Sequence, residues 1–203
     1  MSKLKKQPIH GFLGEIIGYD CPCKQVKILV CEKSEADAII EKHHYSKKPT
    51  KNSFLSMLVF HYGAVSGALQ IGYGIRPKIK GADDPESVRE FDRMWLSDAM
   101  PKYSETIVLS MLHKYLKQAH PSIKKLISYS DTSVGNNGTI YRAGNYKEIG
   151  RIKADFYILA NGERVHPVSM WHRHGSRAFG LLQSIYPQIK KADGMQLKFE
   201  YLL

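Results

Sequence analysis

The sequence predicts an α/β (α+β) protein in which helices cover both faces of a mixed central sheet. Helix-like and strand-like segments interleave along the chain. The stretch from Phe54 to Ile75 is apolar and glycine-punctuated, as in two buried strands, and a clear amphipathic helix begins at Ser104. No repeat, low-complexity tract or Pro/Ser-rich linker interrupts the 203 residues, so one domain is expected over 1–203.

The first predicted elements are a strand and a helix. Val26–Val30 is a short apolar run, and Ser34 with Asp37 three residues later is typical of a capping box that starts a helix through about His43. One face of this helix then carries Ala36, Ile39, Ile40 and His43.

A hairpin and a third strand follow. The segment 54–75 turns near Gly63, and the polar loop GADDPES separates it from Val88–Leu96, which alternates polar and apolar residues. Such alternation predicts a half-buried strand.

The helix that begins at Ser104 is expected to end before Pro121. Its apolar stripe comprises Ile107, Val108, Met111, Leu112, Tyr115 and Leu116. A strand over Ile123–Tyr129 and a short helix over about Asn136–Ala143, ended by Gly144, come next. The last strand candidates are Tyr146–Ile152 and Phe156–Leu159.

The charge of the chain favours a polyanionic partner. Thirty Lys and Arg residues against 19 Asp and Glu give a net charge of +11. The excess lies in a basic N-terminus over about 1–10, expected to be mobile, in the third quarter, and in a basic C-terminal region over about 151–203. An ordinary basic enzyme would show the same composition.

The lack of a recognisable secretory signal and the pattern of the cysteines predict an intracellular protein. The lysines of the N-terminus precede no apolar signal segment, and no window approaches the ~20 apolar residues of a spanning helix. Cys21, Cys23 and Cys31 lack zinc-site spacing and are expected to be reduced.

Asp131 is the first candidate for chemistry, because it follows the end of a predicted buried strand, where open α/β sheets bind ligands. It would serve as a general base or bind a cation. Alternatively, it caps a turn through Thr132 and Ser133.

Arg93 lies in the strand EFDRMWLSD and needs a partner, either a substrate anion, Asp131 or another acid. Strand alternation places it opposite Asp92, which shares a face with Glu90. The two acids are compatible with a metal nuclease, although no suitably spaced Glu-x-Lys follows.

Histidines and tyrosines provide further candidates. His43, His44 and Tyr45 end the first helix, and His61-Tyr62 lies in the hairpin, so imidazole and phenolate are available for iron or another metal. One core-facing and one exposed histidine would give the same sequence.

Two segments are candidates for binding phosphate. Lys102, Ser104 and Thr106 surround the start of the long helix, where the helix dipole favours an anion. The carboxylate of Glu105 can itself interact with that dipole. The segment VHPVSMWHRHGSR interleaves basic side chains with Trp171, as in surfaces that hold phosphates and stack on a base. Its basic members are His166, His172, Arg173, His174 and Arg177. A solvated basic loop around a core Trp would have the same sequence pattern.

The stretch NGTIYRAGNYKEIG (137–150) resembles the acetyltransferase motif in which a Tyr-bearing helix ends at a Gly-aromatic pair. With the preceding strand, helix and strand, the order is similar to the GCN5-related N-acetyltransferase (GNAT) fold, whose middle strands splay apart to admit a cofactor. Pro101–Thr106 replaces the glycine-rich pyrophosphate loop of that family.

Four pieces between about 40 and 150 resemble the Mom DNA-modification family of Mu-like phages, a divergent branch of the GNAT fold. They are His44-Tyr45-Ser46, EFDRMWLSD, SYSD with the following NGTIY, and the paired apolar strands between them. The resemblance implies carbamoylmethylation of the exocyclic amino group of adenine in DNA, which protects phage DNA from host restriction. It also implies iron and an acetyl-CoA or related donor.

The resemblance, carried over to this sequence, makes Tyr45, Tyr62, Arg93, Asp131 and Tyr141 the active-site candidates, and the residue patterns described above add further candidates for cofactor and DNA. Tyr45, Arg93, Asp131 and Tyr141 are the catalytic candidates, and His44 joins Tyr45 and Asp131 as metal candidates. The cofactor candidates are Lys102, Ser104, Thr106 and Asn137. Those for substrate and DNA are Tyr62, Tyr73, Trp171, Arg173 and Arg177.

The expected partner is double-stranded DNA with the adenine extruded from the stack, in the cytoplasm of a bacterial host and without a membrane. Asp131 would accept the amine proton while Arg93 or a metal polarises the electrophile. The oligomeric state stays open, a homodimer included. An acyl-CoA-dependent N-acyltransferase acting on a protein or small amine, and a non-catalytic DNA-binding protein, are the alternatives.

Overall fold

The computed structural model describes residues 5–74 and 84–203. The chain forms two compact units. The first comprises Met1–Tyr129, Ile140–Glu148 and Phe199–Leu203, and the second comprises Ser130–Thr139 and Ile149–Lys198. Ile75 of the expected hairpin and the first residues of the GADDPES loop lie outside the described residues.

The chain forms a mixed sheet. Its strands are β1 (Gln7–His10), β2 (Ile16–Cys21), β3 (Val26–Val30), β4 (Ser53–His61), β5 (Ala64–Gly72), β6 (Val88–Leu96), β7 (Lys125–Asp131), β8 (Lys147–Lys153) and β12 (Met195–Leu202). Strands β1 to β6 and most of β7 belong to the first unit. Among the described residues the strand order is β1-β2-β3-β4-β5-β6-β7-β12-β8. Neighbours from β1 to β6 are antiparallel, whereas β6 and β7 are parallel. The mixed sheet predicted from the sequence is therefore confirmed.

The β4–β5 hairpin forms where the apolar run predicted it. Two residues connect the strands, Tyr62 with φ 49° and Gly63 with φ 79°. Positive φ at both positions is the geometry of a type I′ turn, whose twist matches that of the flanking strands. The turn thereby aligns Leu58 with Ala68 in the centre of the sheet.

Helices α1 (Lys33–His43) and α2 (Ser104–Ala119) pack on opposite faces of the sheet. Ala36 and Ile40 of α1 pack against Leu58 and Ala68. Residues of β2 and β3 that are offset by one position from those aligned with Leu58 point to the other face of the sheet, towards α2. Among them, Tyr19 Oη donates to the Gln118 side chain at 2.5 Å. Helices on both faces are as the sequence predicts.

The start of α1 differs from the predicted capping box at Ser34 and Asp37. Glu32 is the N-cap, and its backbone N–H donates to the Glu35 carboxylate at 3.0 Å. Asp37 is instead one turn inside the helix, where its carboxylate accepts hydrogen bonds from Lys33 and Gln70. An acidic capping box that starts two residues earlier satisfies the free backbone donors of the first turn.

Helix α3 (Thr139–Ala143) is shorter than expected and begins three residues late. Asn137 explains the later start, because its Oδ1 accepts from the Thr139 N–H at 3.1 Å and so caps the helix. Strand β7 is likewise displaced and includes Ser130 and Asp131.

The second unit has its own small sheet and core. Strands β9 (Tyr157–Ile158), β10 (Arg164–Val165) and β11 (Lys190–Lys191) pair in the order β10-β9-β11, beside helices α4 (Pro167–His174) and α5 (Phe179–Ile185). Its buried cluster comprises Tyr157, Leu159, Val165, Met170, Leu182 and Ile189. None of the helices in 5–74 and 84–203 is both long enough and apolar enough to cross a membrane.

Candidate active site

The strands β6 and β7 separate in the first unit. Their parallel pairing runs from Val88 opposite Lys125 to Phe91 opposite Ser128 and then stops, although β6 continues to Leu96 along β5. At the last pair, Ser128 Oγ donates to the Phe91 carbonyl at 3.1 Å. The opening begins at Asp92, so the next side chains of β6 border a gap between two strands.

A β-bulge places Asp92 at this gap. Arg93 pairs with Gln70 of β5 and Phe91 pairs with Ile71, which leaves Asp92 as an extra residue. Bulges redirect side chains and occur beside active sites. Strict alternation of faces along β6, assumed from the sequence, is therefore broken at the functional segment.

Glycines of β5 and the segment after it make room for two carboxyl groups. A Cβ at Gly72 would lie 2.2 Å from Asp92 Oδ2, and one at Gly74 would lie 3.4 Å from Glu90 Oε2. A hydrogen bond joins the carboxyl groups of Glu90 and Asp92. Burial raises the pKa of Asp92, while the bond to Glu90 and the charge of Arg93 act in the opposite direction. The pair is therefore suited to holding and exchanging a proton.

We expect Gly72→Ala to destabilise the protein by about 1–3 kcal/mol, because the added methyl group overlaps the Asp92 carboxyl. Urea unfolding of the variant measures the loss. In an Asp92→Ala background the same change should cost less, since the nearest colliding atom is gone and the remaining neighbours, Thr50 Cγ2 and the Asn52 carbonyl, lie at 3.1 and 3.3 Å. Equal costs in both backgrounds would contradict this packing.

Arg93 is held by backbone carbonyls. Its Nε donates to the Lys48 carbonyl and its Nη1 donates to the Asp92 carbonyl, both at 2.8 Å. Neither bond neutralises the guanidinium, so Arg93 presents a positive charge beside the carboxyl pair. The sequence predicted a substrate anion or an acid as its partner.

Buried Gln70 fixes the segment that supplies the Lys48 carbonyl. Its Oε1 accepts from the Thr50 N–H at 2.9 Å, and its Nε2 donates to Asp37 Oδ1 at 2.6 Å. The amide thus links α1, the loop after it and β5. A satisfied buried amide of this kind positions its neighbours accurately.

Tyr141 of α3 belongs to the same cluster. Its ring meets the edge of Phe91 at 6.3 Å between centroids, and burial raises its pKa to about 12. A hydrogen bond with Ser128 and the charge of Arg93 lower this pKa, whereas Tyr45 raises it. Tyr141 is therefore a neutral hydrogen-bond donor at neutral pH, close to Tyr45 and Arg93.

His44 is buried beneath the exposed ring of Tyr45. The two ring centroids lie 4.3 Å apart, and His44 Nδ1 accepts from the Ser46 N–H at 3.1 Å. Burial and the charge of Arg93 lower the pKa of His44 to about 4. The neutral ring therefore carries its proton on Nε2.

We expect folding stability to fall as the pH drops from about 6.5 towards 4, because His44 is protonated in the unfolded chain before it is protonated in the folded one. His113, whose pKa burial lowers to about 3, acts in the same direction. His44→Gln should reduce the slope of unfolding free energy in this range by up to about 1.4 kcal/mol per pH unit. An unchanged slope in chemical denaturation would contradict a buried neutral His44.

Asp131 lies in the second unit, where both its oxygens have partners. Oδ2 accepts from Arg164 Nη2 at 2.8 Å, and Oδ1 accepts from the N–H of Ser133 at 2.9 Å and from its hydroxyl at 2.5 Å. Burial favours the protonated form, but these bonds outweigh it and hold the pKa of Asp131 below its ordinary value. Both oxygens of this carboxylate are therefore already engaged within the protein.

Two of the metal candidates, His44 and Asp131, have hydrogen-bond partners within the protein. The His44 Nδ1 lone pair is engaged by Ser46, and the Asp131 carboxylate is engaged by Arg164. Within the described ranges, no three His, Cys, Asp or Glu side chains are grouped closely enough to hold a metal ion. The described His, Cys, Asp and Glu side chains therefore give no support to an iron centre.

The cofactor candidates have structural partners. Ser104 Oγ donates to the Pro101 carbonyl at 2.6 Å, and Thr106 Oγ1 donates to the Tyr103 carbonyl at 2.8 Å. Tyr103 has φ 71° and precedes the helix, while Lys102 is exposed. Asn137 caps α3. The Ser104 N–H also donates to the Pro101 carbonyl, so an anion at this position would meet Lys102 and the N–H groups that follow Ser104.

The substrate candidates are dispersed. Tyr62 is 77% exposed at the β4–β5 turn, whereas Glu90 pairs with Gly72 at the other end of β5. Tyr73 packs edge-on against Phe54. In the second unit, Trp171 of α4 is 55% exposed and Arg173 pairs with Glu163 at 2.7 Å. The exposed Arg177 accepts a hydrogen bond from Tyr157 through its carbonyl.

The sequence thus predicted three members of the cluster, Tyr45, Arg93 and Tyr141. It named Glu90 and Asp92 only as a weak metal motif. The signal for their role is the pair of glycines at 72 and 74, whose missing side chains make the space, but the bulge that uses this space is not visible in the sequence.

The splayed β6–β7 pair, with helices on both faces of a mixed sheet, defines an acetyltransferase-type fold of the GNAT class. Residues of this chain superpose on a GNAT-family acetyltransferase from Streptococcus pneumoniae with a TM-score of 0.52 at 9% identity, covering 88% of this chain and 99% of that one. For the ribosomal-protein-S5-alanine acetyltransferase from Vibrio fischeri the TM-score is 0.54 at 9% identity, with 92% and 96% covered. The aminoglycoside acetyltransferase AAC(6')-Ib, solved with coenzyme A, gives 0.51 at 12% identity, with 87% and 94% covered.

The chain belongs to the Mom protein family, whose model matches residues 25–203. It is 33% identical over 171 residues to the methylcarbamoylase Mom of Escherichia phage Mu, covering 82% of this chain and 70% of that protein. The expected family and fold are both confirmed.

Proposed function

We propose that the protein is a phage DNA-modification enzyme that transfers a carbamoylmethyl group to the exocyclic amino group of adenine in DNA and so protects that DNA from host restriction. The observation that carries this proposal is the family match over residues 25–203, which spans the entire β6–β7 cluster. The similarity to a methylcarbamoylase and the net charge of +11 support it. We place the enzyme in the cytoplasm of the bacterial host.

The target base must leave the duplex to be modified. Extrusion costs a few kcal/mol and requires a surface on which the base stacks. Tyr45 is suited to this role, because its ring is 58% exposed and close to Tyr141. Exposed lysines surround it and supply a rim for phosphates, namely Lys42, Lys47, Lys48 and Lys51.

The carboxyl pair then accepts the proton of the amine. The adenine amine is a poor nucleophile because its lone pair is delocalised, so the proton must leave as the new N–C bond forms. A carboxyl group with a raised pKa is a better proton acceptor than Asp131, whose pKa is low. Arg93 and the neutral phenol of Tyr141 stabilise negative charge that develops on the donor.

We infer that the donor is an acyl-CoA or a related molecule that lies between the separated ends of β6 and β7. When bound, it would supply an intact carbamoylmethyl group: the adenine nitrogen would bond to the methylene carbon while the bond from that carbon to the rest of the donor breaks, with its electron pair leaving on the donor. Its phosphates would meet Lys102 and the N–H groups that follow Ser104 in the first turn of α2, where the hydroxyls of Ser104 and Thr106 bond to backbone carbonyls. Asp131 acts as a positioning residue here, since it anchors Arg164 and Ser133.

The second unit is proposed as a further DNA contact. Its helix α4 exposes Trp171 and His172 on one side, and Arg177 follows shortly after. An aromatic ring beside polar and basic side chains suits stacking on a base and binding of a phosphate.

An acyl-CoA-dependent N-acyltransferase acting on a protein or small amine is the alternative, and the likeness of fold favours it. It would acetylate an amine and leave DNA unchanged. The Mom family match distinguishes the two readings in favour of DNA modification.

Protection from restriction tests the proposal. Plasmid DNA from cells expressing the wild-type protein should resist restriction enzymes that cut at adenine-containing sites, whereas DNA from cells with the empty vector should be cut. Complete cutting of both DNAs, with the protein present in the soluble fraction, would contradict the proposed function.

A further inference from the structure

We propose that the tip of the β1–β2 hairpin is an apolar wedge that inserts between base pairs of the DNA beside the modified site. This inference rests on the proposed function, because it takes DNA as the substrate. The hairpin precedes the part of the chain that matches the family, which begins at residue 25.

Two large apolar side chains form the tip. Phe12 is fully exposed, at 102% of its reference area, and Leu13 is 88% exposed. Single exposed apolar residues are ordinary, but two neighbours with almost no protein contact are the kind of surface that marks an interaction site.

Hydrogen bonds hold the tip in one shape. The Gly11 N–H donates to the Glu15 carbonyl at 2.8 Å, and the Gly14 N–H donates to the Gly11 carbonyl at 3.1 Å. Gly14 has φ 85°, which favours glycine, and a Cβ at Gly11 would lie 2.2 Å from the Glu15 carboxylate. The apolar pair is therefore presented on an ordered turn, which reduces the entropy lost on insertion.

Basic side chains flank the hairpin at a distance from its tip. Lys5 and Lys27 are exposed at the other end of the hairpin, where Gln7, Asp20 and Lys27 are aligned, and they would meet phosphates further along the duplex. Glu15 is the acidic residue of the turn, and its carboxylate accepts from the Leu13 N–H at 3.1 Å. That bond draws the negative charge towards the backbone of the turn.

The strand register places the tip at the same end of the sheet as the carboxyl pair. Gly18 of β2 aligns through the intervening strands with Trp95 of β6, and both strands run in the same direction. The turn before β2 therefore lies level with Glu90. Four to five strand spacings separate them, roughly 19–24 Å, which is about six to seven base pairs of duplex.

The small size of the tip favours DNA over a protein partner. Two such side chains bury at most about 400 Å². A stable protein interface needs about 800 Å² on each side. A wedge in DNA needs only one or two apolar side chains, which unstack a base step and bend the duplex.

The test uses a set of duplexes, each with a single adenine-thymine pair and one fluorescent 2-aminopurine base. The distance between the 2-aminopurine and the adenine increases from one duplex to the next. Wild-type protein should raise the fluorescence about six to seven base pairs from the adenine on one side. The double variant Phe12→Ser/Leu13→Ser should abolish this increase and weaken binding about ten-fold. Its dependence on salt should stay unchanged, since no phosphate contact is lost.

Val65→Ser, an exposed apolar residue at the opposite end of the sheet, is the matched control and should behave like the wild type. Wild-type fluorescence and affinity in the double variant would overturn the wedge, as would a change only in self-association, measured by sedimentation. A wild-type protein that unstacks the duplex but protects no plasmid would instead overturn the proposed function and leave the wedge standing.

Discussion

Asp92→Asn is expected to reduce DNA modification by about 10²–10⁴-fold, the contribution typical of a general base. The amide keeps the shape of the side chain at the bulge but cannot accept the proton of the amine. Modified deoxyadenosine in plasmid DNA measures the effect. The matched control is Asp98→Asn, an exposed acid just beyond β6, which should modify DNA like the wild type.

The pH dependence separates a catalytic role from a structural one. Because burial raises the pKa of Asp92, the acid limb of the wild-type pH–rate profile should lie above the range of an ordinary carboxyl group. A raised folded-state pKa favours the protonated form, so stability is lost as the pH rises through it, and Asp92→Asn should be no less stable than the wild type at alkaline pH. A variant that loses activity only in proportion to its unfolding would refute the catalytic role.

Arg93→Lys is expected to have the second largest effect, a loss of about 10²–10³-fold, comparable to removing one preorganised donor. Lysine keeps the charge but has no planar fork to reach the carbonyls of Lys48 and Asp92 together. The modified nucleoside again measures activity. Arg151→Lys, on an exposed part of β8, is the control.

The loss in Arg93→Lys should appear in the rate of modification at saturating DNA rather than in DNA affinity. Arg93 contacts backbone groups at the separated strands, whereas the exposed lysines near Tyr45 provide the phosphate rim. A variant with a normal rate and weakened, less salt-dependent binding would show that Arg93 is a phosphate contact instead.

The principal elements were predictable because their patterns are local. The apolar stripe of α2, the alternation in β6 and the apolar run of β4 and β5 each follow from periodicity, and the structure has all of them. The strands β1 and β2 were not predicted. Gln7–His10 is largely exposed and polar, and it forms a strand through its pairing with β2.

The site was predictable only in part, because its geometry depends on long-range pairing. Tyr45, Arg93 and Tyr141 were identified through the family resemblance and lie together. The bulge at Asp92 depends on the register of β5 against β6, and the ion pair of Asp131 joins residues 33 positions apart. No local pattern could indicate that Arg164 is the partner of Asp131.

The measurement that tests the central claim most directly is mass spectrometry of nucleosides from plasmid DNA of cells expressing the wild type, Asp92→Asn or Asp98→Asn. We predict deoxyadenosine bearing a carbamoylmethyl group in the wild type and Asp98→Asn, and unmodified deoxyadenosine in Asp92→Asn. Equal modification in all three would contradict the carboxyl pair as proton acceptor, and unmodified deoxyadenosine in the wild type would contradict the function itself.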